Sequence, residues 1–380
     1  MTHHDTSVSV TSFASADDCV ETGAWKELPA DEQRFRHSAY PHALTTSLTL
    51  PLSSELLYVL SQGSHNAGEI EINDDGRNGS GDVKVDVQMY YNTPEIVQSS
   101  EVCRMRAGPG KNGVGIFTPT RSPSSHRIFF SVKVKLPPGG GSSQVAVKSF
   151  ETNLPNYKHD IGDLVRSFDF AAVTLKSSNG AMNIKSLAGK KIDVKTMNDY
   201  VRGNFKSSTV GLQTSNAPID ADVSLIHGPG CREGALTMRT HNGRIKSQVS
   251  LVSELQGNSG GSYRVSAKSS NEALDISFPV APLGSVLHVD AQTSNAPATV
   301  NLHETFEGEF CLQTSSGQPL VRQAESVEDP AGTDRVRNVT YSRDRHGVVN
   351  GRVVWEPQGS RRTVGSVNVK TSNSDITLSM

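Results

Sequence analysis

The stretch Val210-Gly211-Leu212-Gln213-Thr214-Ser215-Asn216-Ala217-Pro218-Ile219 decides the fold. Val210 and Leu212 alternate with Gly211 and Gln213, a polar turn follows, and the run from Ile219 through Ala221 to Val223 alternates again. A period of two on both sides of a polar corner means strand, turn, strand, with one face buried.

The corner recurs around Asn179, Asn198, Asn216, Asn242, Asn271, Asn295, Ser316 and Asn373. The positions six and four before it hold Val173/Leu175, Ile192/Val194, Val210/Leu212, Leu236/Met238, Val265/Ala267, Val289/Ala291, Phe310/Leu312 and Val367/Val369. Three after it stand Met182, Val201, Ile219, Ile245, Leu274, Ala298, Pro319 and Ile376. Against 35% hydrophobic residues overall, that regularity is a repeat. Most copies return after roughly 18 to 29 residues, the period of a solenoid or similar array. One strand-turn-strand unit cannot bury its apolar face alone, whereas stacked units can. The reading is therefore an all-β chain, a β-solenoid of stacked strand-turn-strand repeats over 141–380. Asn suits the corner because it tolerates left-handed backbone and bonds nearby backbone. In a stack it can also bond the Asn above and below, as polar ladders do. These residues are read as a structural turn ladder, not as a catalytic set.

Outward from the repeats, residues 41–140 form short strands such as 44–50, 83–91 and 128–136, separated by Gly and Pro turns. That spacing suits a β-sandwich-like layer or a divergent first section capping the solenoid. Residues 1–40 are rich in Ser, Thr, Asp and His and read as a disordered leader. Gln323–Asp334 reads as an excursion from one turn, and Val348–Trp355 as a degenerate further repeat. The chain ends on Ile376, Leu378 and Met380, still alternating, which predicts an edge strand in need of a partner.

Sites for chemistry are sparse. Net charge is -2, which gives no general pull toward nucleic acid or anionic membrane. Lys190-Lys191 and Arg361-Arg362 are isolated pairs. Cys19, Cys103, Cys231 and Cys311 show neither CxxC nor zinc spacing, so free thiols in a reducing compartment are the default. His3-His4 lacks metal-binding neighbours, and no His-Glu-x-x-His exists. The Gly108–Gly113 loop lacks the Lys-Ser/Thr of a phosphate loop and reads as a hairpin. Gly257-Asn258-Ser259-Gly260-Gly261 has the letters of a nucleophile elbow but is followed by a strand pattern. The carboxylates Asp199, Asp220, Asp222, Asp275, Asp290 and Asp375 occupy different phases of the repeat. Asn78-Gly79-Ser80 and Asn338-Val339-Thr340 fit the glycosylation acceptor pattern, which matters only on an export route. No signal peptide or membrane-spanning run is visible, so a cytoplasmic location is the default, with the cell surface by an unconventional route as the alternative.

The segments Leu212–Ile219 and Met238-Arg239-Thr240-His241-Asn242-Gly243-Arg244-Ile245 resemble repeats of the putative-adhesin family of β-solenoid domains. The likeness covers 145–380, and 41–140 is similar to versions of the domain in fungal proteins. No functional residue carries over from the likeness; with the sparse chemistry above, the chain is read as a non-enzymatic adhesin-like surface for protein or glycan binding or self-association, with no catalytic, cofactor or metal residues. Two other readings remain. A carbohydrate-active β-helix enzyme would draw on Arg244-Ile245-Lys246, which resembles a polygalacturonase motif. An intracellular scaffold polymer would stack end to end, as bactofilin-like solenoids do.

Overall fold

The computed structural model describes residues 15–75, 81–121, 123–139, 144–344, 347–357 and 364–380. His3-His4, Asn78-Gly79-Ser80 and Arg361-Arg362 lie outside the described residues. The chain is nearly all β, with a large sheet that is not closed. It forms two compact units, Met1–Lys185 and Ser186–Met380.

In the second unit, strands that flank successive polar corners pair in parallel and in register. Leu212 faces Met238, Met238 faces Ala267, and Ala267 faces Ala291. Beside them Ile219 faces Ile245, Ile245 faces Leu274, and Leu274 faces Ala298. All of these side chains are buried. Partners in adjacent strands sit about 4.8 Å apart, so each column is a continuous apolar wall. Burying one Val, Leu or Ile there contributes about 1.5–3 kcal/mol, which a lone repeat could not collect.

The stacking order departs from chain order. The last strand pair, Gly365–Thr371 and Ile376–Ser379, lies between strand pairs that precede it in the chain. Gly365–Thr371 pairs in parallel with Val286–Gln292 on one side and Gly308–Thr314 on the other. Ile376–Ser379 is likewise flanked by Ala298–Asn301 and Pro319–Arg322. The expected C-terminal edge is thus an interior position. Val348–Glu356 is not a further repeat either. It runs antiparallel to Gly308–Thr314 and forms a hairpin with Val336–Arg343. The alternation that suggested a repeat is real, because Val349, Val353 and Trp355 are buried, but strand direction leaves no trace in a period-two pattern.

The excursion that begins near Gln323 is anchored where it returns. Arg335 donates from Nε and Nη2 to Asp329, reaches Glu307 at 3.4 Å, and lies 5.5 Å over the Trp355 ring. Trp355 in turn donates from Nε1 to the Glu304 carbonyl. Backbone amides of Ala331, Thr333 and Arg335 also point at Asp329.

The first unit uses a related plan. Leu56–Gln62 pairs in parallel with both Lys111–Phe117 and Val145–Asn153, and Gly68–Asn73 with both Ile128–Lys135 and Tyr157–Asp163. Here too an earlier strand pair lies between later ones. Antiparallel strands cover the outer members. Glu101–Arg106 lies along Lys111–Phe117, and Val83–Tyr91 lies between Ile128–Lys135 and His42–Leu50.

Residues 15–40, read above as leader, are folded. Cys19–Thr22 pairs with Glu101–Arg106, Lys26–Glu27 pairs with His42–Leu50, and Leu28 is buried. Phe35 packs on Tyr90 and Phe129 with ring centroids 5.4 and 4.9 Å apart. A few apolar anchors and a covalent link hold a segment whose composition is otherwise that of a tail. The link corrects the default of free thiols: Cys19 and Cys103 form a disulfide, Cα atoms 5.5 Å apart. Cys231 and Cys311 are free.

Candidate recognition surface

The corner residues line up along the second unit. Asn216 donates from Nδ2 to Asn198 Oδ1 at 2.7 Å, and Asn242 to Asn216 at 2.8 Å. Asn271 donates to Asn242 at 2.6 Å, Asn295 to Asn271 at 2.8 Å, and Asn373 to Asn295 at 2.7 Å. In the first unit Asn179 donates to Asn156 in the same sense, at 2.7 Å. Ser316 keeps only the backbone part of the rung: its amide donates to the Ser372 carbonyl at 3.0 Å. Its hydroxyl sits on a side chain shorter than an amide by one heavy atom, and no side-chain rung to Asn373 forms.

A second ladder escaped the sequence reading. Two positions before each corner residue stands a hydroxyl: Ser177, Thr196, Thr214, Thr240, Ser269, Thr293, Thr314 and Thr371, all buried. Thr214 Oγ1 donates to the Met197 and Asp199 carbonyls at 3.3 and 2.9 Å. Thr240 Oγ1 donates to Ala217 O at 3.2 Å while accepting from the Gly243 amide at 3.1 Å. Ser177, Thr240, Ser269 and Thr314 each accept the amide three residues on and so close their own turns, while these and Thr214, Thr293 and Thr371 donate to a carbonyl of a neighbouring turn. The signal was an unbroken Ser/Thr column two places before the Asn.

Outward-facing side chains of the same strands form rows across the sheet. One runs Thr340, Arg352, Glu309, Ser366, His288, and the next Ser342, Asn350, Cys311, Asn368, Asp290. At strand spacing each row spans about 19 Å from first to last residue. Over the first four members of both rows lies a groove of about 760 Å³. Arg352, Glu309, Asn350 and Asn368 are all exposed, so their polar atoms are presented to solvent. Ser366 is engaged, its Oγ lying 2.8 Å from His288 Nδ1. Of the residues lining the groove, Glu309 is the one carboxylate.

Several carboxylates elsewhere in the unit face cations. Asp220 lies 3.3 Å from Arg202 and 3.4 Å from Arg244, Glu233 lies 3.1 Å from Arg264, and Asp290 lies 3.5 Å from Lys268. The row Arg202, Asp220, Lys246, Asp275 alternates in sign across neighbouring strands. Arg244 and Lys246 belong to this charge pattern, while Ile245 between them is a core residue at 1% exposure. Asp222 faces Gln248 one strand on, away from that row. The Gly257–Gly261 turn leads into the strand Ser262–Lys268, not into the helix a nucleophile elbow requires.

No helix among the described residues is long and apolar enough to cross a membrane. No protein-family profile matches the chain, and no curated protein matches it. Two solved structures align along most of their length. One is a "putative cell adhesion protein" from Clostridium sporogenes ATCC 15579, at 9% identity and TM-score 0.18, covering 88% of this chain and 98% of that one. The other is a "putative adhesin" from Bacteroides fragilis NCTC 9343, at 10% identity and TM-score 0.25, covering 90% and 98%. Likenesses at that level carry no argument about what this chain does.

Proposed function

We propose that the chain is a non-enzymatic, adhesin-like recognition module. Its repeats stack as a β-solenoid, and the polar face of the second unit is offered to a protein or a glycan. The observation that carries this reading is the pair of polar rows under the groove. Arg352, Glu309, Asn350 and Asn368 are held at fixed spacing by backbone pairing, so little further ordering is needed when a partner binds. The groove mixes one cation, one anion and two amides without a large apolar surface. That chemistry suits an extended polar partner bound through many modest hydrogen bonds.

The carbohydrate-active alternative is disfavoured by charge pairing. Glycoside hydrolysis needs two carboxyl groups about 5–9.5 Å apart on one cleft. Here the groove holds Glu309 alone, and Asp220, Glu233 and Asp290 face cations.

The test is glycan-array and pull-down binding by the full chain, run beside a polysaccharide-hydrolysis panel. Binding that weakens at least tenfold in the doubly substituted Asn350→Ala/Asn368→Ala chain, without hydrolysis, is the expected result. Turnover of any polysaccharide, or absence of binding to every probe, refutes the reading.

A further inference from the structure

The acceptor pattern Asn338-Val339-Thr340 lies on the strand Val336–Arg343. Among the described residues that strand pairs on one side only, with Val348–Glu356. Val336 is 70% exposed and Tyr341 50%. An open edge of this length, bearing β-branched and aromatic side chains, is a template for adding a strand from another chain. Proteins usually guard such edges with charge, and this strand carries Arg337 and Arg343. Neither stands guard. Arg337 has Nε and Nη2 buried, and Arg343 donates back to the Pro319 carbonyl.

Asn338 and Thr340 are exposed, and being two apart on a strand they share a face. No protein group engages the Asn338 amide or the Thr340 hydroxyl. The Cys19–Cys103 disulfide supplies a second, independent observation. Structural disulfides persist in oxidising compartments, and the route to them is where Asn-x-Ser/Thr acceptors meet their sugar donor.

We propose that Asn338 carries an N-linked oligosaccharide and that this sugar shields the open edge. In the transfer, Asn338 Nδ2 displaces pyrophosphate from the anomeric carbon of an activated oligosaccharyl-pyrophosphate donor, on a transferase of the export route. A C–N bond forms, the carbon–oxygen bond to pyrophosphate breaks, the leaving group takes the electron pair, and the amide nitrogen gives up one proton. The sugar then stands on the exposed face beside the unpaired backbone, where it blocks a second strand. The edge is guarded by bulk where other edges are guarded by charge.

The experiment uses the full chain recovered from cells that make it. Peptide N-glycosidase treatment in heavy-oxygen water, followed by peptide mapping, is expected to leave labelled Asp at 338. An unmodified Asn338 throughout overturns the proposal. Asn78 falls on a different peptide and is scored separately. Thiol alkylation of the same sample is expected to mark Cys231 and Cys311 and to spare Cys19 and Cys103. Labelling of all four overturns the compartment on which the proposal rests. Thr340→Ser keeps the acceptor pattern, and Thr340→Ala destroys it. In sedimentation, Thr340→Ala is expected to shift several-fold more protein into heavier species than Thr340→Ser. Equal distributions, with the sugar present on one and absent from the other, overturn the shielding role.

Discussion

Asn242 donates its side-chain amide to Asn216 at 2.8 Å and receives the amide of Asn271 at 2.6 Å. Every rung of that ladder points the same way, so each amide polarises the next. The rungs are exposed, and a net worth near that of an ordinary hydrogen bond applies. Asn242→Ala removes two rungs and is expected to cost about 1–2 kcal/mol. Asn242→Asp should cost at least as much, because it turns an acceptor oxygen toward the Asn216 carbonyl oxygen. Ser316→Asn supplies the missing amide beside Asn373 and is expected to stabilise by about 0.5–1 kcal/mol. Denaturant midpoints at constant m-value read all three. A loss below about 0.5 kcal/mol for Asn242→Ala would put the rungs on a par with any surface substitution.

The buried hydroxyls should matter more than the visible amides. Thr214 is 1% exposed, and its Oγ1 serves two carbonyls of the preceding turn. Thr214→Val keeps the shape and takes from the Asp199 carbonyl its hydroxyl donor, at a cost of about 1–3 kcal/mol, while the Met197 carbonyl keeps the Ser215 and Asn216 amides. Thr214→Ser keeps the donor and should recover most of it. Neighbouring Gly243 is fixed by space: a Cβ there would lie 1.8 Å from the Ala217 carbonyl oxygen. Gly243→Ala therefore forces the backbone of two turns apart, and its melting temperature should fall further than that of Thr214→Val.

Which parts of this were legible depends on what a period of two can encode. It reports which side chains face inward, so Val210, Leu212, Ile219, Leu236 and Met238 could be placed in the core without coordinates. It is silent on strand direction, hence the misplacement of Val348–Glu356. It is silent on stacking order as well. Val369 pairs with Ala291 on one side and Leu312 on the other, although Leu312 comes first in the chain. Apolar repeats of equal width are interchangeable as neighbours. The strand that ends up outermost is the one whose following segment can cover it, and Gly308–Thr314 has the antiparallel hairpin to do so. The polar rows were hidden for the same reason, since Asn350 and Asn368 become neighbours of Cys311 only through that reordering. The Cys19–Cys103 pair, separated by 84 residues, had no local signal at all.

That hairpin should be separable from the repeats it covers. Arg335 holds Asp329 through a planar fork, which lysine cannot reproduce. The fork and the surrounding amides hold the Asp329 carboxyl well below the usual carboxylate range. Arg335→Lys is therefore expected to raise hydrogen exchange across residues 323–356 by tenfold or more. The strands between Val201 and Gln292 should keep their protection. Exchange that rises uniformly through the second unit would mean that the excursion and the repeats unfold together.

Acid should act on the first unit through one histidine. His159 is fully buried between Tyr157 and Thr152. The Tyr157 carbonyl can only accept, so Nδ1 carries the proton and Nε2 accepts from Thr152 Oγ1 at 2.8 Å. A second proton on Nε2 would find that hydroxyl turned the wrong way, its oxygen already taking the Lys176 amide at 3.4 Å. Burial lowers the imidazole to about 4 from its ordinary 6.5, with the Tyr157 carbonyl pulling weakly in the other direction. Between those values the unfolded chain binds the proton and the folded chain does not, so stability rises with pH. The contribution is complete above about pH 6.5 and declines as pH falls toward about 4, amounting to on the order of 3 kcal/mol. His159→Gln removes the titrating group, so its stability should be flatter across that window, whatever its absolute value. Denaturation midpoints between pH 7 and 4, followed by exchange at Val145–Asn153 and Tyr157–Asp163, decide the matter. Parallel pH profiles for the two proteins would exclude His159 as the source.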